Sequence, residues 1–310
     1  MLSNEPKVSV RLPCYNQEKY ISQAIESALM QKTDFEFEIV IGDDFSTDSS
    51  LQILEGYELK YPQIVRVLRR AKGEEYSFLR QKYGRLYNFV DIMANCRGKY
   101  IALLDGDDYW TSPEKLQRQA DFLDANPDCS ICFHDVEYLF ENGESPEYAI
   151  GAPKVKKQRY TLDDLLRGNF ICNTSVMFRR GLFGEFPEPF LSIYPADWAL
   201  HILNAQYGDI CHMDRVMGVY RVHSGGVWSH GRSLHWFKNE MKMYKMLNAY
   251  FAGRHKEALR AGRMNAFFRL FGTPFHKMET RIGLVLRGSR FRPVADFYRK
   301  IFYPQSLRKQ

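Results

Sequence analysis

The sequence predicts an α/β protein: a mostly parallel sheet flanked by helices, followed by a helical C-terminal extension. Two observations carry this expectation. Short apolar runs alternate with helix-period segments over roughly the first hundred residues, the signature of βαβ units with right-handed crossovers. Polar clusters rich in aspartate recur at the ends of those apolar runs, where parallel sheets place their ligands.

The elements follow in order. Residues 7–12 (KVSVRL), 36–42 (EFEIVIG), 64–68 (IVRVL) and 99–104 (KYIALL) read as short buried strands. Glu18–Gln31 carries Ile21, Ala24, Ile25, Ala28 and Leu29 at helical spacing, and Ser49–Lys60 carries Leu51, Leu54 and Leu59. Ser112-Pro113-Glu114 opens a helix through Phe122, with Ser112 as N-cap and Pro113 at the first helical position. Cys129–Phe140 is a strand that ends in the turn ENGES. Residues 144–160, rich in Pro, Gly and Lys, form a mobile surface loop, Leu162–Arg167 a short helix and Thr174–Arg179 another strand. From His235 the chain turns helical, with Phe237, Met241, Tyr244, Leu247 and Tyr250 three or four residues apart.

Composition bounds the class. A chain of 310 residues with 45% hydrophobic and 15% aromatic residues can bury a sizeable core, which excludes disordered and fibrous proteins. No run of 18 apolar residues suggests a membrane span, and the first residues lack the pattern of a secretory signal, so the expectation is a cytoplasmic protein whose membrane contact is peripheral. Six scattered cysteines in that setting predict reduced thiols, with Cys129 and Cys132 as buried thiols and not half of a zinc site.

Charge is unevenly spread. Of the formal +6, residues 231–310 carry 18 Lys and Arg against 4 Asp and Glu, leaving 25 against 33 for residues 1–230. The basic, aromatic tail suits a helix at a lipid surface, a dimer contact, or helices packed on the preceding acidic domain. No nucleic-acid motif accompanies it, and none is expected as a partner.

The stretch from Lys99 to Trp110, KYIALLDGDDYW, runs an apolar strand straight into Asp105, Asp107 and Asp108. Carboxylates so close repel one another and call for a cation; Mg²⁺ or Mn²⁺ held by one or two carboxylates, phosphate oxygens and water is the usual solution. Pro13, Cys14, Tyr15 and Asn16 follow the first strand and Asp43 and Asp44 the second. Three distant segments therefore converge on one rim.

In this order and spacing VSVRLPCYNQEKYI, IVIGDDFSTDSS, GKYIALLDGDDYW and the later ADW resemble the family 2 glycosyltransferases, over about residues 7–230. The resemblance implies a GT-A, Rossmann-like fold: a catalytic domain over residues 1–230, with 231–310 as the extension. It implies an inverting, metal-dependent transferase of hexosyltransferase type that moves a sugar from a nucleotide-diphosphate donor, a UDP-sugar, to a hydroxyl of a saccharide or lipid-linked acceptor in bacterial surface polysaccharide synthesis. By the same resemblance Pro13 and Tyr15 line the base pocket, Asp44 binds the base, and Asp105 lies near the ribose and the Mn²⁺ or Mg²⁺ ion. Asp107 ligates that ion, and Asp108 supports the site from behind or touches the donor sugar. His223, in GVYRVHSGG, either contacts the metal or diphosphate or is a packed residue. Asp197 is the candidate catalytic base, at a helix start that favours a carboxylate; the alternative is a helix cap. Ala196 stands where the family carries a second acid.

Ser224, Gly225 and Gly226 can form a loop closing over the donor. Arg80, Lys82 and Arg85 offer charge for a diphosphate or form a solvated loop, and Trp198 either stacks on a sugar or is core. Two readings compete with the enzyme: a catalytically silent nucleotide-sugar binding module, against which the intact acids count, and a nucleotidyltransferase, which would need a glycine-rich basic loop that LPCYNQEKY is not.

Overall fold

The computed structural model describes residues 5–141, 157–193, 195–226, 234–267 and 269. Strands β1 (Val8–Cys14), β2 (Phe37–Asp43), β3 (Val65–Val67) and β4 (Tyr100–Leu103) form a parallel half-sheet in the order β3-β2-β1-β4. The helices between them are α1 (Ile21–Leu29), α2 (Ser50–Lys60), α3 (Glu75–Tyr83) and α4 (Leu86–Asn95). The alternation predicts the four strands, α1 and α2; it misses α3 and α4. Helix α3 buries no residue, so it has no apolar stripe to read.

Beyond β4 the sheet becomes mixed. It continues through β8 (Met177–Arg179), β6 (Cys129–Phe140), β9 (Asp209–Val222) and β5 (Tyr109–Trp110), with β7 (Arg159–Tyr160) paired to β9. Strand β8 is antiparallel to β4 and β6, while β6 and β9 run parallel to each other. Between these strands lie α5 (Lys115–Ala125), α6 (Leu162–Arg167) and α7 (Ala196–Asn204). Helix α5 starts at Lys115 and not at Pro113, because the Ser112 carbonyl and hydroxyl accept from Lys115 N and Glu114 N in a preceding turn. The strand expected over Thr174–Arg179 begins only at Met177, after a 3-10 turn over Asn173–Ser175. The loop expected at 144–160 falls largely outside the described residues.

The sheet is covered on both faces. On one, Val10, Leu12, Ile39 and Ile41 pack with Ile21, Ile25, Leu54 and Leu116; on the other, Val40, Ile101 and Leu103 pack with Phe89, Ile92, Trp198 and Leu200. Period-two alternation sends neighbouring residues of one strand to opposite cores, which is why β2 is buried throughout. Each fully buried Leu or Ile contributes about 1.5–3 kcal/mol. Met243, Tyr244 and Leu247 of α8 (Leu234–Tyr250), with Phe251, Ala258 and Leu259, belong to the second core. The start of the basic region therefore packs on the domain that precedes it; the membrane-contact expectation for the rest falls outside the described residues. Among the described residues no helix is long and apolar enough to cross a membrane.

The expectation of six thiols is corrected at one pair. Cys129 and Cys211 form a disulfide, their Cα atoms 6.2 Å apart on the adjacent strands β6 and β9, while Cys14, Cys96, Cys132 and Cys172 are free and buried. Eighty-two positions separate the two in sequence, and no local pattern pairs them.

One buried charge has a measurable consequence. The Lys115 ammonium is fully buried 3.8 Å from the Trp110 ring centroid and makes no hydrogen bond to a described residue. Burial pulls its pKa from 10.5 down to about 7. Between those values the unfolded chain binds a proton that the folded chain does not, so stability rises with pH across pH 7–10.5. Lys115→Met is expected to stabilise the protein at pH 7 by roughly 1–3 kcal/mol and to flatten that rise. Urea denaturation at pH 7 and 9.5 checks it; an unchanged pH slope would contradict the burial of an uncompensated amine.

Candidate functional site

The carboxyl ends of β1, β2 and β4 form the rim, and loop-to-loop hydrogen bonds fix it. Asn16 Oδ1 accepts from Thr47 N at 2.7 Å, Asn16 N donates to Ser46 Oγ at 3.0 Å, and Gln17 N donates to Ser50 Oγ at 2.8 Å. Asn16 and Phe45 both take left-handed backbone, with φ of 51° and 63°. Asn tolerates this; for Phe45 it costs on the order of 1–2 kcal/mol, offset in part by an edge contact with Tyr76.

At the first end of the rim Pro13 is half-buried at the end of β1 and Tyr15 is 55% exposed. Asp43 accepts from Ser46 N and Oγ, which closes the turn after β2 and gives this acid a structural task. Asp44 faces α3: Arg80 Nε donates to its two oxygens at 2.7 and 2.8 Å, and Tyr76 Oη to Oδ1 at 2.9 Å. Of the three cations read either as charge for a diphosphate or as a solvated loop, Arg80 pairs with Asp44 and Lys82 lies over the Tyr83 ring.

At the centre the three acids after β4 have separate partners. Asp105 accepts from Arg11 Nη1 at 3.1 Å and from Asn173 Nδ2 at 2.6 Å. Asp107 Oδ2 lies 3.1 Å from His223 Nε2, and the His223 ring packs on Tyr20. Asp108 is buried, accepts from Arg221 N at 2.8 Å, and leaves Oδ2 without a partner among the described residues. Burial raises the pKa of Asp108 well above the usual carboxylate range, Asp107 and Asp105 adding to the effect and Arg221 opposing it. Gly106 allows this tight turn: a Cβ there would lie 2.1 Å from Gln17 Oε1.

Arg221 holds the loop from β9. Nε donates to the Asp107 carbonyl at 2.8 Å, Nη1 to Glu141 at 3.0 Å and Nη2 to Gln23 at 2.6 Å, and the guanidinium lies over Tyr20 at 4.8 Å. Sequence reasoning passes over Arg221, Arg11 and Asn173. A charge inside the apolar run VSVRL is the one signal it had for Arg11.

Asp197 stands in the first turn of α7 behind Pro195, and backbone N–H groups of that turn, that of Trp198 among them, donate to its carboxylate, so its place agrees with the capping alternative as well as with a base. Burial raises its pKa to about 6, with backbone N–H donors in its own turn and the charge of Arg11 opposing and Asp105 reinforcing the rise. Asp197 therefore senses the same charges that surround the Asp105 carboxylate. Trp198 beside it is core: its Nε1 donates to the Leu165 carbonyl at 3.0 Å and its ring meets Tyr244 edge-on. Ser224, Gly225 and Gly226 follow β9 directly, and 227–233 lie outside the described residues.

The donors fit a divalent ion of limited protein coordination. Asp107 and His223 supply an oxygen and an imidazole nitrogen, while both Asp105 oxygens already accept hydrogen bonds. Among the described residues no three His, Cys, Asp or Glu side chains cluster as a complete cage. One carboxylate, one imidazole, phosphate oxygens and water make a site that Mg²⁺ or Mn²⁺ accepts.

With this geometry, comparison with known proteins gives the class. The chain matches the family model described as glycosyl transferase family 2 over residues 9–186, more than half its length, and it belongs to that family. An uncharacterized protein of Mycobacterium tuberculosis is 37% identical over 216 residues, covering 69% of this chain and 58% of that one, so the chain spans little more than half of such a relative. Bacillus subtilis TuaG, named for teichuronic acid biosynthesis, is 30% identical over 189 residues, 61% of this chain and 68% of TuaG. Among solved structures, Staphylococcus aureus TarS 1-349 in complex with UDP-GlcNAc aligns with a TM-score of 0.56 at 23% identity, covering 84% of this chain and 72% of TarS 1-349. That likeness confirms the GT-A type of fold.

Arg221→Ala is expected to cost about 1.5–3 kcal/mol, the loss of charge-assisted hydrogen bonds from a buried guanidinium. Arg221→Lys should restore less than half, since one ammonium cannot span Asp107, Glu141 and Gln23. Denaturant titration measures both; a loss below about 0.5 kcal/mol would show that the loop holds itself.

Proposed function

We propose that the protein is an inverting, metal-dependent glycosyltransferase that moves a sugar from a UDP-sugar to a hydroxyl of a saccharide or lipid-linked acceptor in bacterial surface polysaccharide synthesis. The observation that carries the reading is the convergence of Tyr15, Asp44, Asp105 and Asp107 on one rim of a family 2 domain, with Asp197 near enough to feel the charges of Asp105 and Arg11. TuaG and TarS, the latter crystallised with UDP-GlcNAc, support the acceptor and donor classes. A nucleotide-sugar donor also carries a cytoplasmic setting for the reaction.

In this reading the base stacks on exposed Tyr15 beside Pro13 and hydrogen-bonds Asp44, which Arg80 and Tyr76 hold in place. Asp105, fixed by Arg11 and Asn173, faces the ribose. Asp107 and His223 hold Mn²⁺ or Mg²⁺, which when bound offsets the negative charge that builds on the departing diphosphate. Asp108 keeps Arg221 and the loop in register.

Asp197 takes the proton of the attacking hydroxyl. As the hydroxyl oxygen forms its bond to the anomeric carbon, the bond to the diphosphate oxygen breaks, UDP leaves with the electron pair, and Asp197 carries the proton away. A single displacement from the face opposite the diphosphate inverts the anomeric centre. A carboxylate with a pKa near 6 is ionised at neutral pH and is a stronger base than an ordinary aspartate.

Two outcomes follow. Asp197→Asn is expected to lower transfer by about 10²–10⁴ while leaving UDP binding within about twofold, measured by product formation and calorimetry. Because Asp197 must be ionised to act, the rate should rise with pH through about 6 and level above it. A pH-independent rate between 5 and 7.5, or an Asp197→Asn enzyme with full activity, would remove Asp197 as the base.

A further inference from the structure

Arg11 lies in the interior of β1, the strand between β2 and β4. Burying a guanidinium there costs several kcal/mol unless its charge is answered. Its one ion pair among the described residues is with Asp105: Nη1 is 3.1 Å from Asp105 Oδ1, the guanidinium lies 4.2 Å from the Phe89 ring centroid, Nε has no partner among them, and 3% of the side chain is exposed. The other oxygen of Asp105 accepts from Asn173 at 2.6 Å. Asp107, two positions on, has no arginine or lysine paired with its carboxylate among the described residues; its partner there is His223.

We propose that Arg11, with Asn173, is a positioning residue that holds Asp105 out of the coordination of the divalent ion, leaving Asp107 and His223 as the protein's ligands. The inference rests on the metal-dependent reading of the same site and narrows it. A cation at Asp105 would be repelled by the guanidinium 3.1 Å behind the carboxylate and would have to compete with a buried ion pair to gain one oxygen. Asp107 and His223 together bring one negative charge to the ion, too little to bind it tightly alone. The ion therefore binds together with the diphosphate, whose oxygens complete its shell, and metal and nucleotide affinities are strongly coupled.

Calorimetric titration of Mn²⁺ into the protein, with and without saturating UDP, tests this, with thermal unfolding measured in parallel. The wild type should bind Mn²⁺ at least about tenfold more tightly with UDP than without. Arg11→Met frees Asp105 and should tighten Mn²⁺ binding without UDP by on the order of tenfold, with a rise in Tm on adding Mn²⁺ larger than in the wild type. Asn173→Ala, which leaves the ion pair in place, should shift the affinity the same way by about threefold. Asp105→Asn should leave it within about threefold, whereas Asp107→Asn should lower it by tenfold or more. Should Arg11→Met fail to fold, Asn173→Ala and Asp105→Asn decide the question. A tenfold loss of Mn²⁺ in Asp105→Asn, or no gain in either Arg11→Met or Asn173→Ala, overturns the inference and leaves the metal-dependent reading standing. A wild type that binds no Mn²⁺ even with UDP overturns that reading, and the inference with it.

Discussion

Carboxylates crowd one rim of this sheet, and the fold depends on the polar partners that answer them. Asp44 has Arg80, Asp105 has Arg11, Asp107 has His223, and Asp108 has the backbone of Arg221. The partners come from three elements: Arg80 from α3, Arg11 from β1, and Arg221 and His223 from the end of β9. The rim is therefore an agreement between distant segments, and its electrostatics tie the two halves of the sheet together.

The pairings also divide the labour. Acids with arginine or backbone partners are held still, which suits them to position a ligand; Asp107, whose carboxylate meets an imidazole, is the one that the proposed reading gives to a cation. Asp197 stands apart from the arginine pairs in a turn of α7, where burial lifts its proton affinity without removing its charge at neutral pH. In the proposed reading, positioning, charge neutralisation and proton acceptance fall to different carboxylates that share one field. The mixed half of the sheet matters here, because β9 brings Arg221 and His223 back beside the loop that follows β4.

What was legible in the sequence is what depends on short-range pattern. The alternation of apolar residues predicts β1, β2, β3 and β4, and the aspartates at their ends mark the rim. What was illegible depends on contacts between distant positions. Arg11 reads as an irregularity in an apolar run until Asp105 is placed beside it, and Arg221 gives no signal until β9 is known to pair with β5 and β6. The Cys129–Cys211 disulfide is hidden for the same reason. Trp198 and Lys115 show the converse: an aromatic and an amine that sequence types associate with ligands and solvent are both buried.

The central claim is that this rim binds a nucleotide diphosphate together with a divalent ion, and a crystal structure of the protein grown with UDP and Mn²⁺ tests it most directly. The account predicts the uracil against Tyr15 and Asp44 and the manganese on Asp107 and His223, bridged to the diphosphate. Nucleotide bound elsewhere, or manganese bound away from Asp107, would contradict it.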